Sequence, residues 1–97
     1  MIASVLLEER DAFGFESLTV GASAVGFLSA NDARAALVTV EDASVRFRID
    51  GTDPTSEVGH LLNPGDSIIL RNVNNIRRFR AIRAGTADAT LRVTYFR

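Results

Sequence analysis

Ser44-Val45-Arg46-Phe47-Arg48-Ile49-Asp50 is the stretch that decides the fold class. Apolar and charged side chains alternate along it, so Val45, Phe47 and Ile49 share one face and Arg46, Arg48 and Asp50 the other. Successive side chains of a strand point to opposite faces, so a half-buried antiparallel strand reads with a period of two, which no helix can match. The stretch predicts a strand with Phe47 in the core. Ala89-Thr90-Leu91-Arg92-Val93-Thr94-Tyr95-Phe96 repeats the pattern at the far end of the chain. Leu91, Val93 and Tyr95 point inward, Arg92 and Thr94 outward, and Phe96 is left as the large apolar residue on the outer face.

Outward from these two, further strands are expected at Ser17–Val20, Val25–Leu28, Leu37–Glu41, Ser67–Arg71 and Ile76–Ala84. In the last of these Phe79 and Ala81 face one side and Ile82 the other, which calls for a bulge or for cover on both faces. Punctuation agrees. Asp50-Gly51-Thr52-Asp53-Pro54 and Asn63-Pro64-Gly65-Asp66 carry Gly for positive φ and Pro for fixed φ, and Asn72, Asn74 and Asn75 mark a loop, as does Gly85-Thr86-Ala87-Asp88. About seven short strands spaced roughly 8–12 residues apart predict an all-β, antiparallel, Ig-like β-sandwich, with a small Greek-key barrel as the alternative. Two segments depart from alternation. Ala3–Asp11, with Ser4 as a candidate N-cap, reads as one or two helical turns or as an extended arm, and Ser29–Ala35 as a helical turn or a loop. The chain therefore divides into an N-terminal arm or short helix over 1–12 and a single sandwich domain over 13–97.

A chain of 97 residues, 46% hydrophobic and 24% charged, has material for one core only. Cysteine is absent, which excludes disulfides and Cys-ligated metal centres. Glu8, Glu9 and Arg10 interrupt the early apolar run Val5-Leu6-Leu7, so no secretory signal is read and the mature chain is expected to begin at Met1. The longest weakly polar stretch, Val20–Ala30, falls short of the ~20 residues a membrane helix needs, and no membrane association is expected. Charge is asymmetric. Residues 1–43 hold two Arg against seven acids, residues 44–97 nine Arg against five, and every cationic side chain is Arg. Arginine-preferring codon usage explains that uniformity; so does selection for planar, bidentate carboxylate contacts at interfaces.

His60, the sole histidine, has no Cys or G-x-S-x-G serine to serve as its nucleophile and reads as structural. Asp50, Asp53 and Asp66 offer hard oxygen ligands but lack the spacing of a calcium loop, and Asx turns account for them. Gly21, Gly26 and Gly51 lie too far apart for a phosphate loop, so no cofactor is expected. Arg77, Arg78, Arg80 and Arg83, with Arg46, Arg48 and Arg71 elsewhere and Phe79 interleaved, make a candidate basic surface with the composition of a single-strand nucleic-acid groove. A net charge of −1 and a pI near 5.7 weigh against it, because phosphate neutralisation normally shows as a basic domain. Ion pairs with a protein partner or with sister subunits are the reading preferred for these four.

Val45-Arg-Phe-Arg-Ile-Asp-Gly-Thr-Asp-Pro-Thr55, Val58-Gly-His-Leu-Leu62, Pro64-Gly-Asp-Ser67, Asn75-Ile76, Phe79-Arg-Ala-Ile-Arg83 and Ala89-Thr-Leu-Arg-Val-Thr-Tyr95 together resemble small virion-associated proteins of tailed bacteriophages. The similarity is one of pattern, over residues 13–97. It implies a non-enzymatic structural role: a capsid cement or decoration protein binding the major capsid protein or another virion protein, or a head–tail or tail accessory, present on the capsid surface and in the host cytoplasm during assembly. A homo-oligomer fits that role. The Asp50–Thr55 turn is also similar to one in Ig-like accessory domains of chitobiase-type glycosidases, which implies as alternative an accessory or carbohydrate-binding module. Sugar platforms usually need exposed Trp or Tyr, and this chain has no Trp and only Tyr95, on the presumed inward face. Met1–Ala12 has no counterpart in the phage pattern. Its apolar Ile2, Val5, Leu6 and Leu7 are expected to bind a partner, making this segment an attachment element whose removal leaves the domain's stability unchanged.

Overall fold

A computed structural model describes residues 10–97. The alternating segments form β1 (Ala12–Val20), β2 (Ala35–Glu41), β3 (Val45–Arg48), β4 (His60–Leu62), β5 (Ser67–Leu70), β6 (Arg80–Arg83) and β7 (Ala89–Phe96), with one helix, α1 (Val73–Arg78), before β6. They make two antiparallel sheets, ordered β1-β7-β2-β5 and β4-β3-β6. The protein is an all-β sandwich. First and last strands pair along almost their whole length, Ala12 opposite Phe96 and Val20 opposite Ala89, so β1 forms one edge of the larger sheet and β7 lies inside it.

The core is what the period of two dictates. Val38 and Val40 from β2 and Leu91, Val93 and Tyr95 from β7 meet Val45 and Ala81 of the smaller sheet, with Phe79 among them. Each such large side chain taken fully out of water is worth about 1.5–3 kcal/mol, which in a chain this short must offset the ordering of the backbone. Glu16 is the exception on the inward face of β1. It is half-buried, and its carboxylate accepts hydrogen bonds from the Tyr95 hydroxyl, the Ser29 amide (2.9 Å) and the Leu28 amide (3.2 Å). A carboxylate so enclosed is tolerable only because its oxygens are occupied, and in return it ties the 26–29 loop to the core. Burial pushes the Tyr95 phenol well above its ordinary pKa, reinforced by the hydrogen bond to Glu16 and that group's charge.

Several expectations need correction. Ile76–Ala84 is not one strand. Asn72 caps a helix, its side-chain oxygen accepting from the Asn74 (2.8 Å) and Asn75 (3.3 Å) amides, and α1 buries Ile76 before β6 begins. The expected facing survives beyond the helix: Phe79 and Ala81 are fully buried while Ile82 is not. Val25–Leu28 makes only a single bridge, Val25 to Ala81. Its Phe27 instead lies stacked on Phe79, ring centroids 4.3 Å apart, so the segment is held by one bridge to β6 and a ring in the core rather than by a strand's ladder. The seventh strand is β4, which is too short to show alternation. Phe47 is half-buried rather than enclosed. Of the two readings of 29–35 the loop is the one observed: residues 29–34 form a turn, with the Ala33 amide bonded to the Ala30 carbonyl, and Ala35 already begins β2. Asp11 and Arg97 exchange backbone hydrogen bonds of 3.3 and 3.0 Å, so the sheet already includes residues assigned to the arm.

Candidate functional site

On the smaller sheet the same alternation that buries Val45 turns Arg46 and Arg48 of β3 and Arg80 and Ile82 of β6 to the outside. Register sets Leu61, Arg46 and Ile82 in one row, and Arg48 opposite Arg80 in the next. The loop after β3 folds back over this face. Asp50 accepts from the Thr52 amide, Gly51 takes φ +89°, and Thr55 closes a turn on Val58, with hydrogen bonds from the Val58 amide to its hydroxyl (3.0 Å) and from its own amide to the Val58 carbonyl (2.9 Å). Pro54 is thereby buried against Gly59. That glycine is required twice: φ is +143°, and a Cβ there would lie 3.1 Å from both the Pro54 side chain and the Phe47 carbonyl oxygen. The Gly59 carbonyl accepts from Arg46 Nη1 at 3.2 Å, which lays that guanidinium along the sheet.

The result is a face framed by arginines. Arg48 Nε donates to Asp50 at 3.0 Å in a bidentate pair, and Arg80 Nε to Asp53 at 2.9 Å. The Arg48 guanidinium holds the Asp50 carboxyl below the usual carboxylate range. Arg77 and Arg78 stand on the last turn of α1 beside them. Arg77 touches Asp32 only at 3.5 Å, where the acid is 98% exposed, and Arg78 has no ion pair among the described residues. Gly51, Asp53, Arg77, Arg78 and Arg80 line a cleft of about 400 Å³. Across the Asp50–Pro54 turn, Arg48, Ile49, Asp50, Val58, Gly59 and His60 line a second of about 470 Å³. Exposed Val58 (57%) and Leu61 (45%) add apolar surface to the same side.

Three of the four arginines expected to act together therefore do converge. Arg83 does not: one residue out of phase with Ile82, it reaches Asp88 at 2.7 Å in the turn before β7. Ile2, Val5, Leu6 and Leu7 lie outside the described residues. Arg46 and Arg48, counted with the candidate basic surface from the sequence, belong to the face, placed there by the alternation of β3; Val58 and Leu61 belong to it but were not singled out by the sequence. His60 packs on Phe47, with centroids 5.3 Å apart. Asp50, Asp53 and Asp66 do not converge on a common point, each being engaged separately, Asp66 by the Asn63 amide. Among the described residues no group of three or more His, Asp or Glu side chains comes together as metal ligands would. The face presents forked donors, partly neutralised by their own aspartates, next to small apolar contacts, an arrangement suited to carboxylate recognition. Tyr95, the side chain a sugar platform would need, is fully buried. Comparison of the chain with family models, curated proteins and solved structures returned no match.

Proposed function

We propose that this is a non-enzymatic virion structural protein, a cement or decoration protein that binds the assembled head shell of a tailed bacteriophage through the arginine-framed face. The observation that carries the docking is the convergence of Arg77, Arg78 and Arg80 on one cleft, with exposed Val58 at the neighbouring cleft and exposed Leu61 in the row of Arg46. Arginine with apolar neighbours is the composition enriched in protein interfaces, and its fork suits carboxylates on a partner. The choice of a phage shell as partner rests on the pattern of residues 45–95 described above. Asp50 and Asp53 hold Arg48 and Arg80 in place before binding, which lowers the entropy lost on docking.

The test is co-sedimentation of purified head shells with the wild type and with the Arg77→Gln/Arg78→Gln/Arg80→Gln variant. Interface arginines commonly contribute about 1–2 kcal/mol each, so the triple change should weaken binding by at least about 100-fold. Full occupancy by the variant would overturn the assignment of this face. Tight, salt-dependent binding of single-stranded DNA by the wild type, lost in the same variant, would replace the protein partner with nucleic acid.

A further inference from the structure

β1 is the longest strand at a sheet edge. It bounds the four-stranded sheet with 9 residues against 4 in β5 on the other side, while the smaller sheet is bounded by β4 with 3 and β6 with 4. Among the described residues β1 pairs with β7 alone. Asp11 and Arg97 exchange both backbone hydrogen bonds, so alternation along the ladder bonds Gly14, Glu16, Leu18 and Val20 to β7 and turns the N–H and C=O groups of Phe15, Ser17 and Thr19 to the open edge. A register shift at Ala12/Gly14 interrupts the strand at one end. At the other the chain leaves for β6, where the Gly21 carbonyl accepts from the Arg83 amide at 3.0 Å. The regular stretch is therefore Gly14–Val20, and Ser17 is its midpoint. Edges of this kind are normally defended by charge, proline or a bulge, and between Gly14 and Val20 β1 has no such defence on its outward row. Glu16, its one charged residue, is turned inward with its carboxylate occupied. Phe15 on the edge is 63% exposed, and Leu28, 82% exposed, is held beside it by the bond from its amide to Glu16. The two exposed large apolar side chains that do not belong to the arginine-framed face thus both flank this edge.

We propose that a second copy of this chain pairs antiparallel with β1 across a twofold axis at Ser17, joining two four-stranded sheets into one. Ser17 then bonds through its backbone to the second copy's Ser17, and Phe15 to the second copy's Thr19, so the open groups of the stretch are matched by symmetry. Charge is what selects a copy of the same chain. A charged side chain on the axis of a twofold contact meets its like, and the row Phe15, Ser17, Thr19 holds none. Arg92, whose Nη1 donates to the Ser17 hydroxyl, is already paired with Glu41 at 3.1 Å, so the row that crosses the axis is neutral. The edge of β6 fails the same test, since antiparallel pairing about its centre would set Arg80 against the second copy's Arg83. β4 and β5 are too short to offer comparable pairing. The contact uses no residue of the arginine-framed face and stands independently of the docking proposed there.

Sedimentation equilibrium of the full chain from about 1 μM to about 1 mM should show a reversible monomer–dimer step. A monomer throughout overturns the proposal and leaves the edge to a strand of another protein. The absence of cysteine allows the register to be tested directly. In the proposed pair the two Ser17 Cα atoms lie about 5.5 Å apart, inside the span of a disulfide. Ser17→Cys should therefore oxidise to a covalent dimer at least about tenfold faster than Ser67→Cys on the opposite edge of the sheet, and equal rates overturn the pairing. Ser17→Asp keeps a partner for Arg92 and sets like charges opposite one another on the axis. It should weaken the dimer at least about tenfold, whereas Arg77→Gln/Arg78→Gln/Arg80→Gln should leave it unchanged. The reverse pattern would move the contact to the arginine-framed face and overturn the assignment of β1.

Discussion

Phe79→Ala removes the side chain on which the two halves of the small-sheet side converge. Phe79 is fully buried; Phe27 stacks on it at 4.3 Å with rings 4° from parallel, and Phe47 at 5.6 Å and 21°. Deleting a buried Phe costs about 3–5 kcal/mol in transfer and cavity terms. Loss of the aromatic pairs, each worth about 0.5–1.5 kcal/mol, places this site at the upper end, about 4–5 kcal/mol. A domain of this size has about 5–15 kcal/mol of stability in total, so the variant should sit near the edge of folding, its melting temperature lower by about 20 °C or more. Phe47→Ala is the internal control. Its ring is half-buried at the open end of the sandwich against His60, and about 1.5–3 kcal/mol is expected. Equilibrium urea unfolding followed by far-ultraviolet circular dichroism measures both. A cost for Phe79→Ala that is below ~1.5 kcal/mol, or smaller than that for Phe47→Ala, would refute the three-ring stack as the centre of the core.

Tyr95 is the only tyrosine and there is no Trp, so its ultraviolet absorbance reports its ionisation alone. The folded protein holds the phenol's proton above its ordinary value while the unfolded chain releases it near pH 10, so stability should fall as pH rises past ~10. Tyr95→Phe should flatten that alkaline limb; phenolate appearing near pH 10 while the circular dichroism is still native would contradict the Glu16 contact. Asn72→Ala should cost about 1 kcal/mol by uncapping α1, read as a shifted urea midpoint with unchanged slope. An unshifted midpoint would mean that buried Ile76 alone holds the helix.

Most of the sandwich was legible because burial on one face writes itself into the sequence as alternation. β3 and β7, where Val45 and Leu91-x-Val93-x-Tyr95 are buried, carry that mark clearly, and both lie at the centre of their sheets. The misses occur where local and tertiary signals part. His60–Leu62 holds its strand conformation through pairing with β3, and three residues cannot display a period. Val25-Gly26-Phe27-Leu28 has strand-like composition, yet the requirement it meets is a ring stacked on Phe79, with Gly26 passing so near that a Cβ would lie 3.1 Å from the Phe79 carbonyl oxygen. At Ile76–Ala84 the deciding feature is the Asn72 side chain, a helix cap written in the sequence but read as part of a loop.

The candidate site divides along the same line. Phase along each strand placed Arg46 and Arg48 on an exterior face and Arg80 out of phase with Arg83, but that these faces adjoin, with Arg77 and Arg78 beside them, follows only from the pairing of β3 with β6 and from the helix capped at Asn72. Their electrostatic state does not follow, because Asp50 and Asp53 meet these arginines only through the turn geometry that Gly51 and Gly59 permit. Net charge along the sequence is a poor guide for the same reason: three of the five ion pairs among the described residues join groups within residues 44–97, and two cross to the acidic first part. Glu16 shows what a longer reading of β1 would have shown. Extending the strand from Ser17 back to Ala12 puts Glu16 in phase with Leu18 and Val20, both buried, and an inward carboxylate must find donors. The partners it finds, Tyr95 from the last strand and two amides from a loop, lie far away in sequence and emerge only when β1 pairs with β7.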